Sequence, residues 1–186
     1  MKDIFDAIAE YAAVYDKLES LQSRYKELLP GGDQKTGVIA EFYARIYAAS
    51  AYPHSELAFG TTVQSAWDIM VKRSGQADHK IQVKAVSGHS KTSRVSPIHP
   101  GWDELYLIRL DKKMYPSGFW VIRGSETGLN QKTINATTMP CRGRPNSGSL
   151  VFHGADDRYD AFVEQLSAVN RLRSLLPSEQ SVLVSG

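Results

Sequence analysis

Cysteine is nearly absent from this sequence. Cys141 is the single cysteine among 186 residues, which excludes an intrachain disulfide framework and a zinc site built from several cysteines. Long apolar runs are also missing, since no stretch approaches the roughly 18 to 20 residues that cross a bilayer. The first ten residues, MKDIFDAIAE, lack the apolar core of a secretory signal. We therefore expect a cytoplasmic protein that does not associate with membranes.

A strong net charge is missing as well. The 22 lysine and arginine residues are nearly balanced by 20 aspartate and glutamate residues, and the formal net charge is +2. A balance this mild does not by itself indicate a nucleic-acid-binding protein. Basic residues are nevertheless concentrated in residues 72–94, where Asp78 is the acidic residue. This segment is either a solvated loop and strand edge or a contact surface for an acidic partner.

Apolar periodicity organises the chain as helices around a run of strands. Spacings of three and four predict an N-terminal helix over residues 1–30 and a second helix that starts near Thr36. Alternating segments, among them SAWDIMVKR, HKIQVKAV, DELYLIRLD and GFWVIRG, predict strands. Residues 124–152 are polar and turn-rich, which predicts a long loop, and residues 155–176 regain a helical stripe.

Helices before and after the strands indicate one domain over residues 1–186. The order predicts an α/β fold with a central mixed β-sheet flanked by helices, with extra helices at the N- and C-termini. The N-terminal helix, rich in tyrosine and charge, either caps the sheet or pairs with another copy of the chain.

Two polar residues interrupt the apolar segment HKIQVKAV. Gln82 and Lys84 lie on one face of the predicted strand because side chains alternate between faces. If SGQAD forms the turn of a hairpin, Arg73 pairs with His79, and counting back sets Asp68 opposite Lys84. The sequence therefore predicts a patch that contains these groups, with an ordinary cross-strand salt bridge as the alternative.

Glu41 adds a carboxylate to this patch. It lies in the middle of the second predicted helix among apolar neighbours, and a buried carboxylate needs a cation or a hydrogen-bond donor. Asp68, Glu41 and the Gln82 carbonyl are hard oxygen ligands of the kind that Mg²⁺ accepts. Lys84 beside them could hold and deprotonate a water or stabilise charge on a phosphate.

The segments GVIAE, AWDI, IQVKAV, ELYLIRLD and FWVIRG together resemble the PD-(D/E)XK nuclease superfamily. The resemblance covers a catalytic core over residues 36–123 and implies the restriction-endonuclease-like α/β/α fold. It implies Glu41 as the helix glutamate, Asp68 as the metal-binding aspartate, and Gln82 with Lys84 as the acid-x-lysine pair. All four would be catalytic, and the first three would bind Mg²⁺ or, in its place, Mn²⁺.

Two residues depart from that pattern. Trp67 stands where the motif name has proline, and Gln82 replaces the second acid. Glutamine can bind a metal through its carbonyl oxygen but brings no negative charge. Gln82 is therefore either a variant ligand of an active site or the trace of a lost one.

Two polar segments are candidates for contact with DNA. Residues 87–104 follow the predicted catalytic strand, and residues 141–148 carry a second basic group. Serine, threonine, histidine and basic side chains suit contacts to phosphates and base edges, although each segment could equally be a solvated loop. The candidate DNA-binding residues are His89, Lys91, Arg94, His99, Arg142 and Arg144.

The resemblance implies a metal-dependent DNA endonuclease that hydrolyses phosphodiester bonds by in-line attack of water. A small single domain favours a type II restriction enzyme or a similar defence nuclease. Cutting both strands of double-stranded DNA at a palindromic site would require a homodimer. The alternative is a catalytically inactive DNA-binding or assembly subunit that kept the fold and lost cleavage through Gln82.

Overall fold

The structure is a computed structural model that describes residues 1–24, 35–60, 66–144 and 147–175. The helices within these ranges are α1 (Lys2–Arg24), α2 (Lys35–Ala51), α3 (Gly124–Thr127) and α4 (Tyr159–Leu175). The strands are β1 (Glu56–Phe59), β2 (Ile69–Lys72), β3 (His79–Val86), β4 (Arg94–Val95), β5 (Glu104–Leu110), β6 (Pro116–Arg123), β7 (Thr137–Thr138) and β8 (Asp156–Asp157). Single turns of 3₁₀ helix lie at Leu129–Gln131 and Leu150–Phe152.

A six-stranded mixed sheet forms the centre of the fold. Its order is β1-β2-β3-β5-β6-β8, and β4 pairs with β7 in a separate two-stranded sheet. Neighbouring strands of the large sheet run antiparallel, except that β3 and β5 are parallel. The predicted α/β fold, with a mixed sheet flanked by helices, is confirmed.

The crossover between the parallel strands β3 and β5 contains no helix. Parallel strands cannot be joined by a tight turn, so the chain needs a connection of a dozen or more residues. Here residues 87–103 provide it, and they carry the short strand β4. Val95 and Ile98 of this segment are buried together with Leu105 and Leu107 of β5, so the segment lies against one face of the sheet.

Both faces of the central strands are buried. One face of β5 presents Tyr106 and Ile108 to a core shared with α1, α2 and α4. The other face presents Leu105 and Leu107 to a second core. Residues 124–152, predicted as a long loop, contain short helical turns and β7 and cover this second core.

Small residues let α2 lie close to the sheet. Ala40, Ala44 and Ala48 are fully buried on the same face as Tyr43, and this alanine stripe leaves little space between helix and strands. α1 packs in turn on α2, where the Phe5 ring lies 5.3 Å from that of Phe42. The helix that carries Glu41 is thus fixed from both sides.

The predicted boundaries of the helices agree only in part with those in the structure. α4 begins at Tyr159 rather than at residue 155, because Asp156 and Asp157 pair with β6 as β8 and Asp157 Oδ1 accepts the Tyr159 N–H at 3.0 Å. α2 is described from Lys35, close to the predicted start. Residues 25–30 of the first predicted helix lie outside the described residues. No helix in the described ranges is long and apolar enough to cross a bilayer.

Phe162 attaches α4 to the sheet, which generates a first prediction. Its side chain is fully buried and stacks on Phe119 with ring centroids 4.2 Å apart. We expect Phe162→Ala to lower the free energy of unfolding by about 3 to 5 kcal/mol, because the substitution leaves a cavity. Urea denaturation would measure this, with the exposed Leu150→Ala as the matched control that changes stability by less than about 0.5 kcal/mol. A loss below about 1 kcal/mol for Phe162→Ala would contradict the packing described here.

Candidate active site

The β2–β3 hairpin carries the candidate site, but its register differs from the predicted one. Val71 pairs with His79, whereas the sequence predicted Arg73 at that place. The prediction was wrong by two residues because the turn is longer than assumed and occupies residues 73–78. A shift by an even number keeps each side chain on its predicted face of the strand.

Asp68 lies at the end of the β2–β3 ladder and no longer faces Lys84. Its backbone N–H donates to the Ile81 carbonyl at 2.8 Å, and the Val83 N–H donates to Asp68 Oδ2 at 2.6 Å. The carboxylate therefore takes the place that a backbone carbonyl would have in a continued ladder. Burial raises the pKa of Asp68 above its ordinary value of 3.8, and this hydrogen bond partly offsets the rise.

Glu41 reaches the same region from α2. Burial raises the pKa of its carboxyl above the ordinary value of 4.5, and the negative charge of Asp68 raises the pKa further. Arg45, one turn later on α2, lies 3.6 Å from Glu41, and together with Lys84 it acts in the opposite direction. The two carboxyl groups, which come from different elements of the chain, are thus close enough for the charge of Asp68 to act on Glu41.

Lys84 completes the cluster from β3. Its ammonium lies 3.3 Å from the Ser96 hydroxyl. Burial lowers the pKa of Lys84 from its ordinary value of 10.5, although Asp68 and Glu41 both raise it. A lysine with a lowered pKa exchanges protons more readily near neutral pH than an exposed lysine does.

Gln82 lies two residues before Lys84 on the same face of β3. It is only 2% exposed and occupies the place in the sheet beside Leu105 of β5. The structure therefore brings Glu41, Asp68 and Lys84 into one electrostatically coupled cluster and places Gln82 next to it on the strand.

Sequence reasoning missed Arg45 and Ser96. Arg45 pairs with Glu41, lowers the pKa of both carboxyl groups and lies over the ring of Phe59, 4.2 Å from its centroid. The spacing of four residues between Glu41 and Arg45 on a predicted helix was the available signal. Ser96 carried no such signal because only the folded crossover brings it to Lys84.

The candidate DNA-binding residues of the crossover surround the end of β3. His89 lies close to the end of β5, since its Nε2 is 3.1 Å from the Lys112 carbonyl, and its ring lies 4.4 Å from that of Tyr15 on α1. A cleft of about 560 Å³ beside it is lined by His89, Lys91 and Lys112 together with Arg24. We call His89, Lys91 and Lys112 the basic wall of this cleft; the acidic Asp16 of α1 lines the cleft as well.

Arg94 and His99 lie further along the crossover. Both are exposed, and the Arg94 guanidinium donates to the Ala136 carbonyl at 2.9 Å, which ties β4 to the chain before β7. Arg94 also lines a smaller cleft of about 280 Å³ with His89 and Val86. The cleft places Arg94 at the same end of β3 as His89.

Arg142 and Arg144 lie elsewhere. Arg142 is held by Asp160 at 2.6 Å and Asp157 at 3.8 Å, and it lies over the ring of Tyr159. These contacts attach it to the edge strand β8 and the start of α4, three strands away from β3 in the sheet. Arg144 is exposed in the same turn. The structure does not bring either arginine to the cluster around Lys84.

Comparisons with known proteins give a distant structural likeness. No family model matches the chain, and no curated protein matches it. A solved structure of a bacterial homing endonuclease, I-Ssp6803I, is similar over 76% of this chain and 99% of that chain, with 14% sequence identity and a TM-score of 0.41. Values this low carry no function from one chain to the other, so only the residues of this chain support the proposals below.

A second polar cluster lies at the opposite end of β3 and β5. The buried Glu104 accepts a hydrogen bond from the Tyr52 hydroxyl at 2.7 Å and lies 3.7 Å from both His79 and Arg123. Tyr52 and His79 also contact each other at 3.0 Å. This network joins the chain after α2 to the first residues of both parallel strands, beside a cavity of about 430 Å³.

The coupled cluster generates a second prediction. Lys84→Met removes a positive charge beside two carboxyl groups, so the pKa values of Asp68 and Glu41 should both rise. Carbon-13 NMR titration of the side-chain carboxyl groups would measure the change. Lys80→Met, four residues earlier on β3, is the matched control that leaves both pKa values unchanged. Unaltered pKa values in the Lys84→Met protein would show that the three groups are not close together.

Glu104 generates a third prediction, on stability. Burial acts to raise its pKa, but the hydrogen bonds from His79 and Tyr52 outweigh burial, and the pKa falls below the ordinary 4.5. The folded state then binds the proton less readily than the unfolded state, so the stabilisation is present above pH 4.5 and is lost as the pH falls through the lowered value.

Urea denaturation at a series of pH values would test this for the parent protein and Glu104→Gln. The difference in unfolding free energy between them should shrink on acidification below pH 4.5. A difference that stays constant with pH would rule out an ionised Glu104 as the source of the stabilisation.

Proposed function

We propose that this chain is a metal-dependent deoxyribonuclease that hydrolyses phosphodiester bonds in double-stranded DNA. The observation that carries the proposal is the convergence of Glu41 from α2, Asp68 from the residue before β2 and Lys84 from β3. Asp68 and Lys84 both alter the pKa of Glu41, both carboxyl groups alter that of Lys84, and Lys84 alters that of Asp68. Each of the two half-buried carboxyl groups has a cation near it, since Arg45 lies 3.6 Å from Glu41 and Lys84 lowers the pKa of both. Burial nevertheless raises the pKa of both carboxyl groups and lowers that of Lys84, and a cluster of perturbed ionisable groups is more typical of a functional site than an exposed salt bridge is.

The donor set fits a magnesium ion. The described residues contain no group of three or more histidine, cysteine, aspartate or glutamate side chains that could hold a metal. Magnesium, however, is commonly bound by only one or two carboxylates and otherwise by water and phosphate oxygens. Asp68 and Glu41 would hold it with the Gln82 carbonyl, and its charge would relieve their repulsion. Mn²⁺ takes the same oxygen ligands and would substitute.

The residues of the chain divide the chemistry between them. Bound Mg²⁺ supplies Lewis-acid stabilisation of charge on the phosphate. Lys84 orients the attacking water and, in its neutral form, takes the proton as the new oxygen–phosphorus bond forms and the bond to the leaving oxygen breaks. Arg45, 3.6 Å from Glu41, opposes the rise in the pKa of that carboxyl and so favours its ionised form. The basic wall of His89, Lys91 and Lys112 would contact the DNA backbone.

The biological setting follows as the finer part of the proposal. A small nuclease domain of this kind suits a type II restriction enzyme or a similar defence nuclease that acts as a homodimer. The other candidate DNA contacts, Arg94, His99, Arg142 and Arg144, would then read or hold flanking DNA. Arg142 would have to exchange its carboxylate partners Asp157 and Asp160 for phosphates.

One observation favours a second candidate function. Gln82 is uncharged and buried at the place where the resemblance implies an acid, so metal binding rests on two carboxylates. An inactive DNA-binding or assembly subunit with this fold would retain the basic wall and lack cleavage. Metal affinity separates the two candidates because only the enzyme needs Asp68 and Glu41 on one cation.

The fourth prediction concerns cleavage. Plasmid and genomic DNA incubated with the parent protein and Mg²⁺ should be cut, and Lys84→Ala and Asp68→Ala should lower the rate by about 10²- to 10⁴-fold. Lys80→Ala is the matched control that leaves the rate unchanged, and a chelator should abolish cleavage. Discrete bands would indicate a sequence-specific enzyme.

A metal-binding measurement provides a readout besides activity. Manganese binding followed by electron paramagnetic resonance should be weakened by Asp68→Asn and strengthened by Gln82→Glu, because the latter adds a negative charge to the donor set. Absence of cleavage and of metal binding, with salt-dependent DNA affinity retained, would establish the inactive subunit. Absence of DNA affinity would reject both functions.

A further inference from the structure

α1 has two apolar faces, and only one of them is largely buried in the fold. Phe5, Ile8 and Ala12 are buried against α2 and the core. A second row of apolar side chains lies beside this face and is mostly exposed. We call this row the outer stripe; it consists of Ile4, Ala7, Tyr11, Val14 and Leu21.

The outer stripe has the spacing of a helix-pairing surface. Its members are separated by three, four, three and seven residues, so all of them fall on a or d positions of one heptad repeat. Ile4 is 43% exposed, Val14 53% and Leu21 41%, while Tyr11 is half-buried. Single exposed apolar residues are ordinary on a protein surface, but a row that extends about 25 Å along a helix is not.

Charged residues accompany the outer stripe at intervals of seven. Asp3, Glu10, Lys17 and Arg24 all lie on one side of it, at the positions that flank the seam of a coiled coil. The first two are acidic and the last two basic. Within the described ranges, none of the four forms an ion pair with another residue of the chain.

This charge order matches an antiparallel copy of the same helix. With Ile4 opposite Leu21 of a second copy, Tyr11 meets Val14, so each of these layers holds an apolar side chain from both copies. Asp3 then lies beside Arg24 of the second copy, and Glu10 beside Lys17. By twofold symmetry each attraction occurs twice.

A parallel pair does not have this match. It would set the flanking charges beside Ile8 and Tyr15 of the other helix, which are uncharged and already packed on their own domain.

We propose that α1 is a homodimerisation helix that pairs antiparallel with α1 of a second copy through the outer stripe. Three heptads are too short for a stable pair of isolated helices. Here α1 is already ordered by its contacts with α2, so association does not have to form the helix. The proposal assigns a surface to the homodimer suggested above, and it does not depend on cleavage because it uses none of Glu41, Asp68, Gln82 and Lys84. Arg24 also lines the cleft beside His89.

Sedimentation equilibrium of the full chain gives the fifth prediction. The mass should rise with concentration from 20.6 kDa to twice that value. Val14→Glu should hold it at the monomer value, because it sets a charge in the middle of the stripe. Leu150→Glu, at an exposed leucine beside the second core on the opposite face of the sheet, is the matched control that still dimerises. Unchanged thermal unfolding would show that Val14→Glu remains folded.

A charge exchange tests the pairing itself. Glu10→Lys should weaken the dimer at low salt at least several-fold, because it places a second ammonium beside Lys17 of the other copy. Adding Lys17→Glu to the same chain should restore the affinity of the dimer, because opposite charges then face each other again with their signs exchanged. Failure of the second change to restore it would overturn the antiparallel register, and a monomer at every concentration would overturn the dimer.

Spin labels distinguish the two orientations. In a Cys141→Ser background, a label at Ala13→Cys lies near the centre of an antiparallel pair and should give a short distance to its copy. A label at Ser20→Cys should be displaced by about 22 Å along the axis from its copy. Equal distances at the two positions would indicate a parallel pair and reject the proposal.

Discussion

The hydrogen bond from the Val83 N–H to Asp68 is the contact on which the candidate site depends. A side-chain oxygen here serves as the acceptor that a strand partner would otherwise provide. β2 can therefore stop pairing at Ile69 without leaving a backbone donor of β3 unsatisfied. The same hydrogen bond helps to stabilise a carboxylate in a partly buried place, where it has lost part of its hydration by water. One hydrogen bond thus both satisfies the backbone of β3 and fixes a carboxylate of the candidate site.

Glu41 on α2 and Lys84 on β3 are positioned by different features of the fold. α2 is fixed by close packing of alanines and tyrosine, so the position of Glu41 is set by the volume of its neighbours. Lys84 is set by the alternation of β3, whose other face supplies Ile81 and Val83 to the core. Burial and the repulsion of Glu41 by Asp68 oppose the charged state of the cluster, Lys84 and Arg45 favour it, and the packing of α2 and β3 keeps the groups together.

The fold class and the polar residues of the candidate site could be predicted from the sequence because alternation and helical periodicity are local signals. Gln82, Lys84 and Asp68 stood out as polar interruptions of apolar runs, and Glu41 as an acid on an apolar helix. The register could not be predicted, because the length of the turn at residues 73–78 is decided by pairing across the whole hairpin. Ser96 and the covering role of residues 124–152 depend on contacts between segments distant in the chain, which leave no periodic trace.

The parallel pairing of β3 with β5 has a consequence for the order of folding. Antiparallel hairpins such as β2–β3 and β5–β6 close short loops, whereas the β3–β5 pair must close a crossover of residues 87–103 before any contact rewards it. We therefore expect the chain up to β3 and the chain from β5 onward to assemble first as two separate halves. The β3–β5 pairing that joins them should form late. Glu41, Asp68, Gln82 and Lys84 all belong to the first half. These four residues can come together before β3 pairs with β5, but we expect them to become rigid only when β5 covers the second edge of β3.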